Sequence, residues 1–114
     1  MKVLLDENLP HPLRRHLNRF ETMTAAYAGF SGLKNGMLLD AVEAAGFDVL
    51  VTGDKTIQYE QNLAGRNFAV VALSAVAWPV IAPHVAKIVA ALDATTPRSF
   101  TRVDCGAFAR RRRP

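Results

Sequence analysis

Three runs in this sequence are apolar for about the length of a strand and then stop on polar or turn-forming residues. They are Val3-Leu4-Leu5 before Asp6-Glu7-Asn8-Leu9-Pro10, Phe47 to Thr52 before Gly53-Asp54, and Phe68 to Leu73 before Ser74. Runs this short and this abruptly closed suit strands buried on both faces, as in a parallel sheet. Parallel strands need crossovers, so helices must lie between them and cover the sheet. Pro10 and Pro12 suit the first turn of a helix, where no amide donor is needed. Leu13, Leu17 and Phe20 then recur at helical spacing, predicting a helix over Pro12 to Phe20, with Arg14, Arg15, His16, Asn18 and Arg19 on its other faces.

Further along, Glu21 to Ala26 reads as a weak strand and Ala28 to Gly32 as a loop. A helix is predicted over Met37 to Ala45, N-capped by Asn35 and stopped by Gly46, with Leu38, Leu39, Val42 and Ala45 as its buried stripe. Lys55 to Arg66 is polar and reads as a loop or short helix. After the third apolar strand, Ala75 to Val80 is a connection containing Trp78, a core or boundary residue. A helix follows over Pro83 to Ala94, with Val85, Ile88, Val89 and Leu92 facing inward. Pro97 breaks the pattern, and Ser99 to Asp104 alternates as a last, edge strand. The expected fold is a three-layer α/β domain, a five-stranded, mainly parallel sheet flanked by helices.

With 114 residues, half of them hydrophobic, the chain suits one domain, placed over residues 1–106, followed by a basic tail at 107–114. The net charge of +4 is concentrated: setting aside Arg110 to Arg113, four of the fourteen basic residues, leaves ten, which equals the number of acids. The body is therefore neutral. The tail is read as a solvated end, with contact to RNA, DNA or an acidic partner as the alternative. A single cysteine, Cys105, excludes an internal disulfide and a four-cysteine zinc site. No long apolar stretch precedes Asp6 and no uninterrupted apolar run reaches about 18 residues, so neither a signal peptide nor a membrane span is expected, and the cytoplasm is the expected compartment.

Asp6 and Asp54 each follow the carboxyl end of an apolar strand, the end at which open α/β sheets bind ligands. If the two strands are neighbours, both carboxylates face one crevice. Packed carboxylates repel and raise each other's pKa, and a hard cation such as Mg²⁺ or Mn²⁺ relieves this. With water and a substrate phosphate, such a site suits hydrolysis of a phosphodiester. Asp40 and Glu43 share a helix face and either complete the metal site or act as solubilising surface charges. The basic side of the Pro12–Phe20 helix is either a phosphate-contacting flank or a solvated face. His11 and His16 lack partners at metal-ligand spacing and read as surface or capping residues. A phosphoacceptor domain, with Asp54 as acceptor, also gathers acids at strand ends, but the threonine and lysine it expects near later strand ends are not clearly placed.

Leu4-Leu5-Asp6-Glu7-Asn8-Leu9-Pro10, taken with Val49-Leu50-Val51-Thr52-Gly53-Asp54-Lys55, resembles the small PIN-like proteins of prokaryotes, a group related to the VapC toxin ribonucleases and the Mut7-C nuclease domain. Gly32-Leu33-Lys34-Asn35-Gly36 and Gln61-Asn62-Leu63-Ala64-Gly65 add to the likeness, which covers residues 1 to about 75. The resemblance implies a PIN-like parallel sheet, Mg²⁺ or Mn²⁺ as cofactor and single-stranded RNA as substrate. It also implies a small antitoxin protein as partner, and dimerisation. It puts Asp6 and Asp54 in the catalytic and metal-ligating roles. On the nuclease reading Asn35 and Asp40 or Glu43 assist as ligands, and RNA contacts fall to Asn8, Arg14, Arg15, Lys34, Lys55 and Asn62. Two positions depart from the pattern: Asn35 and Thr56 stand where relatives carry acids. An amide oxygen can ligate a hard cation but adds no charge, so a weaker metal site, with Glu7, Asp40, Glu43 or Glu60 compensating, or a non-catalytic binding module, is the alternative.

Overall fold

Side chains alternate across a strand, and in this sheet the alternation sorts the core into two layers. The structure, a computed structural model, describes residues 1–54 and 65–106, with the side chain of Asn35 also left out of the description. The strands are β1 (Lys2–Leu5), β2 (Glu21–Thr24), β3 (Val49–Thr52), β4 (Ala69–Leu73) and β5 (Phe100–Val103). Val3, Leu5, Val49, Val51, Ala69, Val71, Leu73 and Val103 point to one buried cluster, and Leu4, Leu50 and Val70 to the other. Helices cover both faces, so β3 and β4 are buried along their whole length while β2 and β5 are not.

The sheet has five strands, all parallel, in the order β2-β1-β3-β4-β5. The chain first steps from β1 to one side and then returns to the other. That places a topological switch point between β1 and β3, where ligands bind in sheets of this order. The ladder sets Val3 against Val49 and Leu5 against Val51, so the two strands end level with one another. The expected layers, the five strands and the edge position of the last are all present.

On one face lies α3 (Asn35–Ala44), which packs Leu38, Leu39 and Val42 onto Leu4, Leu50, Phe68 and Val70. Its end follows from the sequence. Gly46, at φ 77°, donates to the Glu43 carbonyl at 3.1 Å, and Phe47 donates to the Val42 carbonyl at 3.2 Å, a Schellman closure with Phe47 and Val42 in the same cluster. Its start differs from the expected cap. Lys34 is the N-cap residue, with extended backbone, and Asn35 is already helical.

The other face carries α1 (Pro12–Arg15), α4 (Trp78–Ile81), a 3-10 turn (Ala82–His84) and α5 (Val85–Ala94). α1 is shorter than the Leu13-Leu17-Phe20 spacing predicts. Because β2 begins at Glu21, the chain after Arg15 winds through tighter turns, His16 to Leu13, Leu17 to Arg14 and Phe20 to Leu17, which still bury Leu13 and Leu17. The helical region before β5 begins earlier than Pro83. Pro79 sits in the first turn of α4, where its missing donor costs nothing, so it starts a helix that the sequence reading treats as connection. A one-turn helix, α2 (Ala25–Ala28), follows β2 directly, capped by the Thr24 hydroxyl accepting from the Tyr27 amide at 3.1 Å and closed by Gly29 at φ 83°. No helix among the described residues is long and apolar enough to cross a membrane.

Leu50 is fully buried between β1, β4 and α3. Leu50→Ala is expected to cost about 2–5 kcal/mol in urea denaturation, the range for an emptied core leucine. Met37→Ala, on the exposed side of α3, is expected to stay within about 0.5 kcal/mol.

Candidate active site

The level ends of β1 and β3 bring three consecutive residues to the switch point, and each side chain ties down a different neighbour. The Asp6 amide extends the ladder by donating to the Val51 carbonyl at 2.9 Å, and its carboxylate accepts from the buried Thr52 hydroxyl at 2.7 Å and from the Glu7 amide at 2.8 Å. Glu7 accepts from the Gly32 amide at 2.8 Å, fastening the loop that leads to α3. Asn8 accepts from the Gly53 amide at 3.4 Å, holding the turn after β3. Thr52 accepts in turn from the Asp54 amide at 3.0 Å, so one buried hydroxyl connects the two acids.

Gly53 leaves room for its neighbours: a Cβ there would run into a methyl of the exposed Val76 and touch Leu9 at 3.4 Å. The turn carrying Asp54 is thus pressed against the segment after β4.

Asp6, Glu7, Asn8, Leu33, Lys34, Leu38 and Asp54 line a single open cleft of about 260 Å³. Asp6 and Asp54 therefore share one crevice, as their strand positions predict. Asp6 is half-buried, and burial raises its pKa above the ordinary 3.8; the Thr52 and Glu7 hydrogen bonds pull it down, while the charges of Glu7 and Asp54 push it up. A groove of about 400 Å³ along β4 and β5 is roomier but lacks this convergence of carboxylates.

The other expected site residues separate into groups. Asn8 and Lys34 line the cleft. Arg14 lies in a neighbouring groove beside His11, and Arg15 is exposed on α1. Asp40 does not join Asp6 and Asp54. Its carboxylate is bound by the Arg66 guanidinium, which also meets Glu43 at 3.5 Å, while Glu43 accepts from the Asn67 amide at 2.9 Å. The helix face shared by Asp40 and Glu43 is turned to the segment before β4, an arrangement set by Arg66, more than 20 residues away. Lys55, Thr56, Glu60, Asn62 and the arginine tail lie outside the described residues. Among the described residues, no three histidine, cysteine or carboxylate side chains converge on one point.

The cleft thus gathers three carboxylates, of which Glu7 is tied to the Gly32 amide, leaving Asp6 and Asp54 as the candidate ligand pair. Mg²⁺ is commonly held by one or two carboxylates with waters and substrate phosphates filling its other positions, so the donor set fits a hydrated hard cation. Thr52, which the sequence reading quotes in its strand-end motif without a role, is the residue that joins the two acids. A hydroxyl closing an apolar strand two residues before an acid is its signal.

Thr52→Val keeps the shape but removes the hydroxyl from Asp6 and from the Asp54 amide, and is expected to cost about 1–3 kcal/mol in urea denaturation. Thr52→Ser is expected to retain most of that stability. A carboxyl with a raised folded-state pKa gives the folded protein more bound protons than the unfolded chain between 3.8 and that higher value, so stability falls as pH rises through this window. Asp6→Asn removes this titration, so its Tm relative to the wild type in metal-free buffer is expected to fall as the pH is lowered from 7 towards 4. Comparison with known proteins finds no matching family model, and no curated protein or solved structure with significant similarity to the chain.

Proposed function

We propose that the chain is a divalent-cation-dependent phosphodiesterase of the PIN-like kind acting on single-stranded RNA. The observation that carries this reading is the shared cleft of Asp6 and Asp54 at the β1–β3 switch point, with the Asp6 pKa raised by burial and by like charge. Two carboxylates that share a cleft gain from a bound cation, and Asp6 and Asp54 would hold it. Thr52 fixes one oxygen of Asp6 and so fixes the direction of its remaining lone pairs. Lys34, exposed on the cleft wall, neutralises a substrate phosphate. Bound there, the cation supplies positive charge that polarises a phosphodiester and acidifies water. A toxin role with an antitoxin partner is the wider setting that the resemblance suggests.

A second reading has its own support. Asp40 and Glu43 are engaged by Arg66, and Lys34 brings an ammonium group to the same cleft as the acids. A binding module that keeps the fold with a weakened metal site would look like this.

The two readings separate in solution. Mn²⁺ at 100 times its dissociation constant is expected to stabilise the wild type by about 2.7 kcal/mol, and Asp6→Asn or Asp54→Asn to abolish the shift. Cleavage of single-stranded RNA with Mn²⁺ is expected to fall at least about 100-fold in both variants, since even residues that only support metal ligands cost 10–100-fold. Asp40→Asn is expected to cleave like the wild type. No melting shift at millimolar Mn²⁺, together with no cleavage, favours the binding module.

A further inference from the structure

Three clefts follow one another from the carboxyl ends of β1 and β3 to the outer side of the edge strand β2, and they share walls. The acidic cleft shares Asp6 and Glu7 with a second of about 230 Å³, and this shares His11 and Thr24 with a third of about 510 Å³. The register explains the path. β1 pairs with β2 so that Leu5 sits opposite Thr24, and Asp6 and α2 therefore begin at neighbouring strand ends.

The third cleft is lined by Arg14, Glu21 and Tyr27 among others. Tyr27 is the most exposed large hydrophobic side chain among the described residues, at 81 %. The backbone that carries it is fixed: its amide is bound by Thr24, and α2 is closed by Gly29 and by the Phe30 amide donating to the Ala25 carbonyl at 2.8 Å. A ring kept in solvent on a capped turn, beside an arginine, suits a base stacked on the ring and a phosphate met by the guanidinium. Glu21, the cleft's one carboxylate, can accept from a base amino group.

The geometry points to a single-stranded RNA track that leaves the Asp6–Asp54 cleft past His11 and ends with a base stacked on Tyr27 and a phosphate on Arg14. This takes its ligand class from the phosphodiesterase reading and adds the path and its anchor residues. A duplex cannot present an unstacked base to the ring, so the track selects single strands.

The test uses a fluorescein-labelled, unstructured RNA of about 12 nucleotides, within the site sizes of single-strand binders, and fluorescence anisotropy in the full-length Asp6→Asn background. Adding Tyr27→Ala is expected to weaken binding about 5- to 150-fold, the fold-change corresponding to one lost stack, with Tm within about 2 °C. Tyr27→Phe keeps the ring and is expected to bind within about twofold. Arg14→Gln is expected to reduce the slope of log K against log salt by about 0.7, the value for one phosphate on a single strand. Equal affinity of Tyr27→Ala and its parent overturns the track, as does equal loss on a duplex of the same length, or no binding by the parent. The cleavage reading is scored separately. An otherwise wild-type Tyr27→Ala protein that cleaves with unchanged KM removes the track and leaves the nuclease. Tyr27-dependent binding by a protein that never cleaves with Mn²⁺ leaves the track and removes the nuclease.

Discussion

The parallel hydrogen-bond ladder between β1 and β3 is the constraint on which the rest depends. It sets Leu5 against Val51 and continues through the Asp6 amide to the Val51 carbonyl, so the two strands release their following residues at the same height. Everything polar at this edge then follows from short reach. Asp6 meets Thr52, Asn8 meets Gly53, and the Asp54 amide turns back onto Thr52. A one-residue slip in this pairing would send Leu4 and Leu50 to the wrong layer, so the buried faces hold the register that the acids require.

The site works against the stability of its own scaffold. Burial of Asp6, together with Glu7 and Asp54 nearby, favours its protonated form, and two hydrogen bonds offset only part of that penalty. A carboxylate kept where burial and like charge disfavour its ionised form marks a candidate functional site. The same cleft keeps Lys34 on its wall, so acidic and basic groups are presented together to whatever enters.

Much of this was legible in the sequence, for identifiable reasons. β1, β3 and β4 lie in the interior of the sheet and are apolar on both faces, which makes them visible as continuous runs; Asp6 and Asp54 are visible because each ends such a run. Gly46 was readable as a helix stop because the left-handed backbone there favours glycine. Features set by distant partners were not readable. Asp40 and Glu43 share a helix face in either role, and only the position of Arg66 decides between them. The short α1 reflects how little chain remains before β2, and α4 was hidden because a proline can begin a helix as readily as it ends one.

The missing side chain at Gly53 lets two loops lie close together. A methyl there would meet the exposed side chain of Val76 and touch Leu9, so its absence lets the turn after β3 settle against the segment after β4. The backbone that carries Asp54 thus runs beside apolar side chains, and a residue with no side chain of its own helps set where the acid emerges.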